Sequence, residues 1–203
     1  MLIIDRIYYC GGFNEKVAYD DYYQELNYFG NPYPGLIDFF TNYQPKGIAL
    51  DLGCGQGRDS LFIGELGYKV IGIDHSSIGI GQLNEEAKKR NIDVEGIVDN
   101  VYDFPISKDI DIVLLDSMLH FYKNDLQRET EFVNKILTEL KEGGVFVNCI
   151  LKGYAREKTF KKIINESPYE WETLTDVYTE YSEANAEFHL LAIKKGKHIE
   201  TSK

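Results

Sequence analysis

Three acids stand at the ends of apolar runs in this sequence. Asp74 closes Lys69–Ile73, Asp99 closes Ile92–Val98, and Asp116 closes Ile110–Leu115. His120 follows the last of them, and Asp51 sits directly before the glycine triplet Gly53, Gly55 and Gly57. Glycine is cheap where φ must be positive and where backbone must approach a ligand closely. Asp74 lies about twenty residues past the first glycine, where an acid can accept both hydroxyls of a ribose. His120, with an ordinary pKa near ~6.5, can take a proton from a hydroxyl, thiol or amine at neutral pH. These residues suit a nucleoside held over a glycine turn, with a base within reach.

The elements that position them follow from local pattern. Ile48–Leu52 is apolar without alternation, which predicts a short strand buried on both faces. A helix is expected from near Arg58, with Leu61, Phe62 and Leu66 inward and Gly67 as its stop. Strand, glycine turn and helix start would leave amides facing an open crevice. Ser76 or Ser77 can cap a further helix running to about Arg90. Gly79 and Gly81 weaken that helix by up to about 1 kcal/mol each, a cost that suggests close packing near its start. Asn124 is expected to open a long helix with Gln127 in the reciprocal capping position and Leu126, Val133, Ile136, Leu137 and Leu140 along one face. Val145–Leu151 reads as a fifth strand, residues 156–166 as a helix, and Glu170–Tyr178 with Ala186–Lys195 as a closing hairpin. Ahead of the glycine turn, Asp20–Phe29 and Leu36–Tyr43 read as short helices, in a stretch holding eight of the fifteen tyrosines.

Dinucleotide enzymes space their glycines G-x-G-x-x-G to seat a pyrophosphate on the helix end. Here the spacing is G-x-G-x-G. The segment Asp51-Leu-Gly-Cys-Gly-Gln-Gly57 resembles the first motif of class I S-adenosylmethionine-dependent methyltransferases. That cofactor carries a sulfonium, an ammonium and a carboxylate but no phosphate, so an acid beside the turn makes electrostatic sense. The resemblance implies a Rossmann-like, doubly wound α/β fold with a seven-stranded sheet, mostly parallel with a C-terminal antiparallel strand. It implies a lid in residues 1–45, a cofactor-binding domain in residues 46–196, and a tail in 197–203. Asp99 would hold the adenine amino group, with the amide of Asn100 or Val101 serving a ring nitrogen and Asp103 as a rival acid. Asp116 and Ser117 would line the methionine end. Asp51, Gly53, Gly55, Gly57, Arg58, Asp74 and His75 complete the cofactor set. His120 and Tyr22 are the catalytic candidates. Tyr19, Tyr22, Tyr23 and Tyr28 suit a lid over a sulfonium, because aromatic faces attract cations. Arg58-Asp59-Ser60 and the short chain are similar to the tellurite-resistance and thiopurine methyltransferases, whose acceptors are soft thiols and chalcogen oxyanions.

Bulk properties narrow the partners. The 203 residues suit one domain, or one domain with a small appendage, and the net charge of −11 repels nucleic acid unless a local basic patch exists. Its basic runs, Lys88-Lys89-Arg90 and Lys161-Lys162, read as solvated helix faces. No apolar run approaches a membrane span, and Met1-Leu-Ile-Ile-Asp-Arg6 is too short and too soon charged for a secretory signal. Cys10, Cys54 and Cys149 form no C-x-x-C pair and suit a reducing, cytoplasmic setting as small apolar fillers. His75, His120, His189 and His198 show no metal-ligand spacing. The expected partner is a small-molecule methyl acceptor, with a second copy of the chain as an option and neither nucleic acid nor membrane. Two other functions fit a nucleoside-binding fold: a nicotinamide-dependent oxidoreductase, and a non-catalytic regulator lacking an acceptor cavity.

Overall fold

The computed structural model describes residues 19–20 and 22–199. Tyr8, Tyr9, Cys10 and the other residues of 1–18, together with 200–203, lie outside the described residues. Seven strands form one sheet in the order β3-β2-β1-β4-β5-β7-β6. They are β1 (Ile48–Leu52), β2 (Lys69–Asp74), β3 (Val94–Val98), β4 (Ile112–Asp116), β5 (Val145–Leu151), β6 (Tyr169–Tyr181) and β7 (Ala186–His198). Strands β1 to β5 pair in parallel, and β7 runs antiparallel to both β5 and β6. The sheet is therefore the doubly wound α/β sheet expected, with β7 as its reversed strand. Among the described residues five helices flank it: α1 (Pro34–Asn42), α2 (Arg58–Glu65), α3 (Ser77–Arg90), α4 (Leu126–Glu139) and α5 (Tyr154–Glu166).

Apolar runs without alternation are buried on both faces, and β4 shows why. Val113 and Leu115 face α4 and α5, among Phe132, Ile136 and Phe160. Ile112 and Leu114 face the other way, onto Leu36, Phe40 and Ile63 of α1 and α2. Connections that cross over a parallel sheet place helices on both sides, so no strand face is left for water. The chain reverses its winding between β1 and β4, which opens a crevice at the carboxyl ends of those strands.

Several local expectations shift. Residues 23–29 form turns rather than a helix; among the described residues before them, Tyr19, Asp20 and Tyr22 are helical. Helix α1 begins at Pro34, where proline's fixed φ and missing N–H suit the first turn. In α2 it is Leu61 and Ile63 that are buried, while Phe62 and Leu66 are half-buried. Helix α4 starts at Leu126 behind Asp125, without a side-chain cap; Gln127 bonds forward to Glu131, and Leu126 is exposed. Ser76 does cap α3, accepting from the Gly79 amide at 3.1 Å. A Cβ on Gly79 would meet the Gly55 carbonyl oxygen at 2.9 Å, so the close packing at the helix start is real there; Gly81 has open space.

At the far end of α4, Lys195 of β7 donates from Nζ to the carbonyls of Leu137, Thr138 and Leu140 at 2.6, 3.0 and 2.8 Å. A cation there also complements the helix dipole. Lys195→Met is expected to lower the unfolding free energy by about 2 kcal/mol in urea titrations. An unchanged midpoint would show that water replaces the ammonium at no cost.

Candidate active site

The glycine turn is locked by backbone bonds before any ligand is considered. Gly53 and Cys54 amides both donate to the Ile73 carbonyl, at 2.8 and 3.1 Å, and Gly57 donates to Cys54 at 2.8 Å. Gly53, Gly55 and Gly57 have φ of 86°, 53° and 86°, a region costly for residues with a Cβ. The amides of Gly53, Cys54, Gly55 and Gly57 all find partners within the protein. The row of amides expected to face the crevice is thus not formed by them.

Asp74 is the link between turn and crevice. Its Oδ2 accepts from Gly55 N at 3.0 Å and its Oδ1 from Ser76 N at 2.8 Å, and the residue is buried. A carboxylate offers about four lone-pair sites, so two amides leave capacity toward the cavity. His75 stands beside it, Nδ1 at 3.8 Å from Oδ1. Tyr23 is buried against the same corner: a Cβ on Gly55 would come within 2.4 Å of its hydroxyl. Burial and then the Asp74 charge raise the Tyr23 pKa, so the phenol stays protonated.

On the other side of the switch point, Arg58 is enclosed by acids and aromatic rings. Its Nε and Nη2 donate to Asp59 at 3.0 and 2.8 Å, and Nη2 also contacts Asp116. Its guanidinium lies 4.6 Å from the Tyr33 ring centre. Ser117 adopts φ 57°, and its hydroxyl joins Asp116 Oδ1 at 3.1 Å to the Tyr33 hydroxyl at 2.9 Å. Met118 lies over the turn, where a Cβ on Gly53 would meet its sulfur at 2.6 Å. Buried Glu129 of α4 accepts the His120 amide at 3.1 Å and the Phe121 amide, fixing the loop after β4.

Ten of the expected residues line one cavity of about 1990 Å³: Gly53, Gly55, Arg58, Asp74, His75, Asp99, Asn100, Asp116, Ser117 and His120. Asp51, Gly57 and Tyr22 lie outside its lining. Strand parity explains Asp51. It shares the face of Ala49, which packs toward α1 and α2, and its Oδ2 accepts from Ser60 Oγ of α2 at 2.6 Å. Gly57 stands at the N-cap of α2, where a Cβ would strike Leu83 at 2.2 Å. Tyr22 stacks on Tyr28 at 5.1 Å between ring centres, so of the expected lid tyrosines it is Tyr19 and Tyr23 that face the cavity.

His120 departs from the ordinary histidine assumed for it. Burial, followed by the charge of Arg156, pushes its pKa down to about 4, so the ring is neutral at neutral pH. Asp51 and Asp116 move the other way. Burial raises them to about 8 and about 7, with Asp59 adding to the rise and Arg58 opposing it. Tyr33, Asp59, Glu129, Tyr181 and Phe188 line the cavity without having been expected there. Asp59 is the one with a local signal, as the neighbour of Arg58. Among the described residues, no group of three or more His, Cys, Asp or Glu could hold a metal ion. Among them, too, no helix is long and apolar enough to cross a membrane. Cys54 and Cys149 are buried and unbridged.

A G-x-G-x-G turn after β1, an acid ending β2 and a crevice at the β1/β4 switch define the class I S-adenosylmethionine-dependent methyltransferases. The profile of one family, described as tellurite resistance protein TehB, matches residues 16–184. The chain belongs to that family. It is 28% identical over 122 residues to cypemycin N-terminal methyltransferase of Streptomyces sp, covering 59% of this chain and 49% of that protein. It is 36% identical over 93 residues to the probable S-adenosyl-L-methionine-dependent methyltransferase TehB of Haemophilus influenzae, covering 46% of this chain and 30% of that protein. The matched region thus spans half or less of these curated relatives. The fold is shared with the N-methyltransferase NodS of Bradyrhizobium japonicum, solved with S-adenosyl-L-homocysteine: TM-score 0.72, 14% identity, 91% of this chain and all of that one. TehB from Haemophilus influenzae superposes with TM-score 0.63 and 20% identity over 89% of this chain and 66% of that one.

Proposed function

We propose that the protein transfers a methyl group from S-adenosylmethionine to a small-molecule acceptor. The observation that carries this is the Asp74 carboxylate, which holds the glycine turn through Gly55 while lining the same cavity as Asp99 and Asp116. The donor set fits a cationic nucleoside without phosphates: carboxylates line the crevice, and the turn's own amides are engaged. When bound, that cofactor supplies an electrophilic methyl carbon on a sulfonium. Asp74 would hold the ribose hydroxyls, with His75 beside it. Asp99 would hold the adenine amino group, next to the backbone of Asn100 and Val101. Arg58, Asp116 and Ser117 would surround the methionine end, and Tyr19 and Tyr23 would close over the side of Asp74 and His75. Holding donor and nucleophile in line can supply several kcal/mol of the barrier.

Titration calorimetry tests the reading against a nicotinamide enzyme. S-adenosylmethionine should bind with micromolar affinity and NAD should give no heat; the reverse would overturn the assignment. Binding should also release protons. Burial raises the pKa of Asp116, which lines the cavity, and a cationic ligand favours its charged form. Affinity should therefore rise with pH up to about 7, and the heat should depend on the buffer's ionisation enthalpy. Identical heats in phosphate and Tris would show that no proton moves.

His120 is the proposed base or acceptor-side contact. His120→Ala should lower turnover about 100-fold while leaving the cofactor Kd within threefold. Turnover untouched by that change would make the histidine structural.

A further inference from the structure

The loop after β4, which carries His120, is tied down at both ends. Ser117 holds its start: the Ser117 amide donates to the Cys149 carbonyl at 2.9 Å, and its hydroxyl bridges Asp116 and Tyr33. Leu119 is buried in the same core cluster as Phe132 and Val133 of α4. Glu129 holds the other end. It stands in the first turn of α4, only 2% exposed, where the helix dipole favours an anion. The His120 amide donates to its Oε1 at 3.2 Å and Oε2 at 3.1 Å, and the Phe121 amide donates to Oε2. Two successive amides converging on one carboxylate form an anion nest. The nest has Phe121 at φ 52°, a left-handed conformation that a residue with a Cβ keeps only where its surroundings hold it. Burial raises the Glu129 pKa, and the two amides oppose the rise.

Resting on the methyltransferase reading above, with His120 as its base, we propose that Glu129 is a positioning residue for the transfer step: by occupying the His120 and Phe121 amides it keeps the imidazole half-buried in the cavity wall. It acts through His120 and not on the donor. Without the carboxylate, two amides lose their acceptor and Phe121 is free to leave its left-handed conformation. The loop then carries the ring out toward solvent, and Tyr122, stacked on it at 5.5 Å, moves with it. A ring in solvent is protonated more readily and no longer stands where the acceptor's proton is taken.

Glu129→Met removes the acceptor while keeping the side chain's length; Glu129→Ala takes its place if that variant does not fold. Glu129→Gln keeps one acceptor oxygen and should stay within about threefold of the parent in turnover. The first readout is the His120 ring proton signal in NMR spectra, assigned by its loss in His120→Ala. From about pH 8 to pH 5 the parent's signal should stay at its neutral-form position, because burial and then Arg156 hold the ring neutral. In Glu129→Met it should titrate within that range. Removing a neighbouring negative charge by itself makes a histidine harder to protonate, so the opposite change reports movement into water. The second readout is label passing from methyl-labelled S-adenosylmethionine to the small molecules of a cell extract. Glu129→Met should slow it about 30-fold, short of the loss expected for His120→Ala, with the cofactor Kd within about threefold. In the His120→Ala background the same change should cost less than about twofold, because the residue it serves is gone. A variant signal that does not titrate overturns the inference, as does a parent signal that does. So does a full loss of rate in the His120→Ala background, an equal loss in Glu129→Gln, or a cofactor Kd that rises as far as turnover falls. Failure of the parent to bind S-adenosylhomocysteine or to transfer label would instead overturn the methyltransferase reading, and this inference with it.

Discussion

Asp74→Asn is expected to raise the dissociation constant for S-adenosylmethionine by about 100-fold. On the proposed reading, Asp74 accepts two ribose hydroxyls while also accepting the amides of Gly55 and Ser76. Hydrogen bonds to a charged group contribute about 1.5–3 kcal/mol each. Asparagine keeps one acceptor oxygen and turns the other position into a donor, which faces a backbone amide that cannot accept. Losing the equivalent of one to two charged bonds, about 3 kcal/mol, corresponds to about two decades in affinity. The same change loosens the turn, because one of the Gly55 and Ser76 amides loses its acceptor. Calorimetry measures the affinity directly. A dissociation constant within threefold of the parent's would mean that Asp74 only braces the turn and that the ribose lies elsewhere.

Arg58→Met is expected to cost about 3–5 kcal/mol of stability at neutral pH, because it leaves Asp59 and Asp116 buried without their cation. For a chain of this length that lowers Tm by about 10 °C. The loss should depend on pH with a definite sign. Asp116 is already raised in the folded protein, chiefly by burial, and Arg58 is what holds it down. Removing the arginine raises it further. A carboxylate raised on folding binds more protons folded than unfolded, so its penalty is absent below an unfolded pKa of about 3.9 and grows as pH climbs toward the folded value. Thermal melts of parent and variant should nearly converge at the acid end and separate toward pH 8. Adding Asp116→Asn to the variant should recover part of the loss. Equal melting temperatures at neutral pH would show that water, not the protein, neutralises this cluster.

Much of this protein was legible in one dimension. The glycine turn, the acid ending β2, the unalternated strands and the Ser76 cap depend on neighbours within a few residues, or on burial of both sheet faces. Both leave marks in the sequence as residue type and period. Even the antiparallel β7 was legible, because a short polar turn between two strand-like runs can close in few ways. Asp51 shows where this stops. Beside the turn it looks like a ligand-facing acid, yet one step of strand parity puts it under α2, against Ser60.

What the tertiary structure decided is which side chains meet across long stretches of chain. Tyr33 reaches Ser117 across 84 residues, and Tyr181 and Phe188 join the same cavity from the far hairpin. Glu129 catches the amides of His120 and Phe121 because α4 folds back over the loop after β4. Such meetings are set by how strands order and helices pack, and no local pattern encodes them. The neutrality of His120 belongs with them, since burial sets its pKa and burial is a property of the whole fold. The chain's sequence thus determined the strand–turn–helix at the crevice, while packing determined which distant side chains line the cavity beside it.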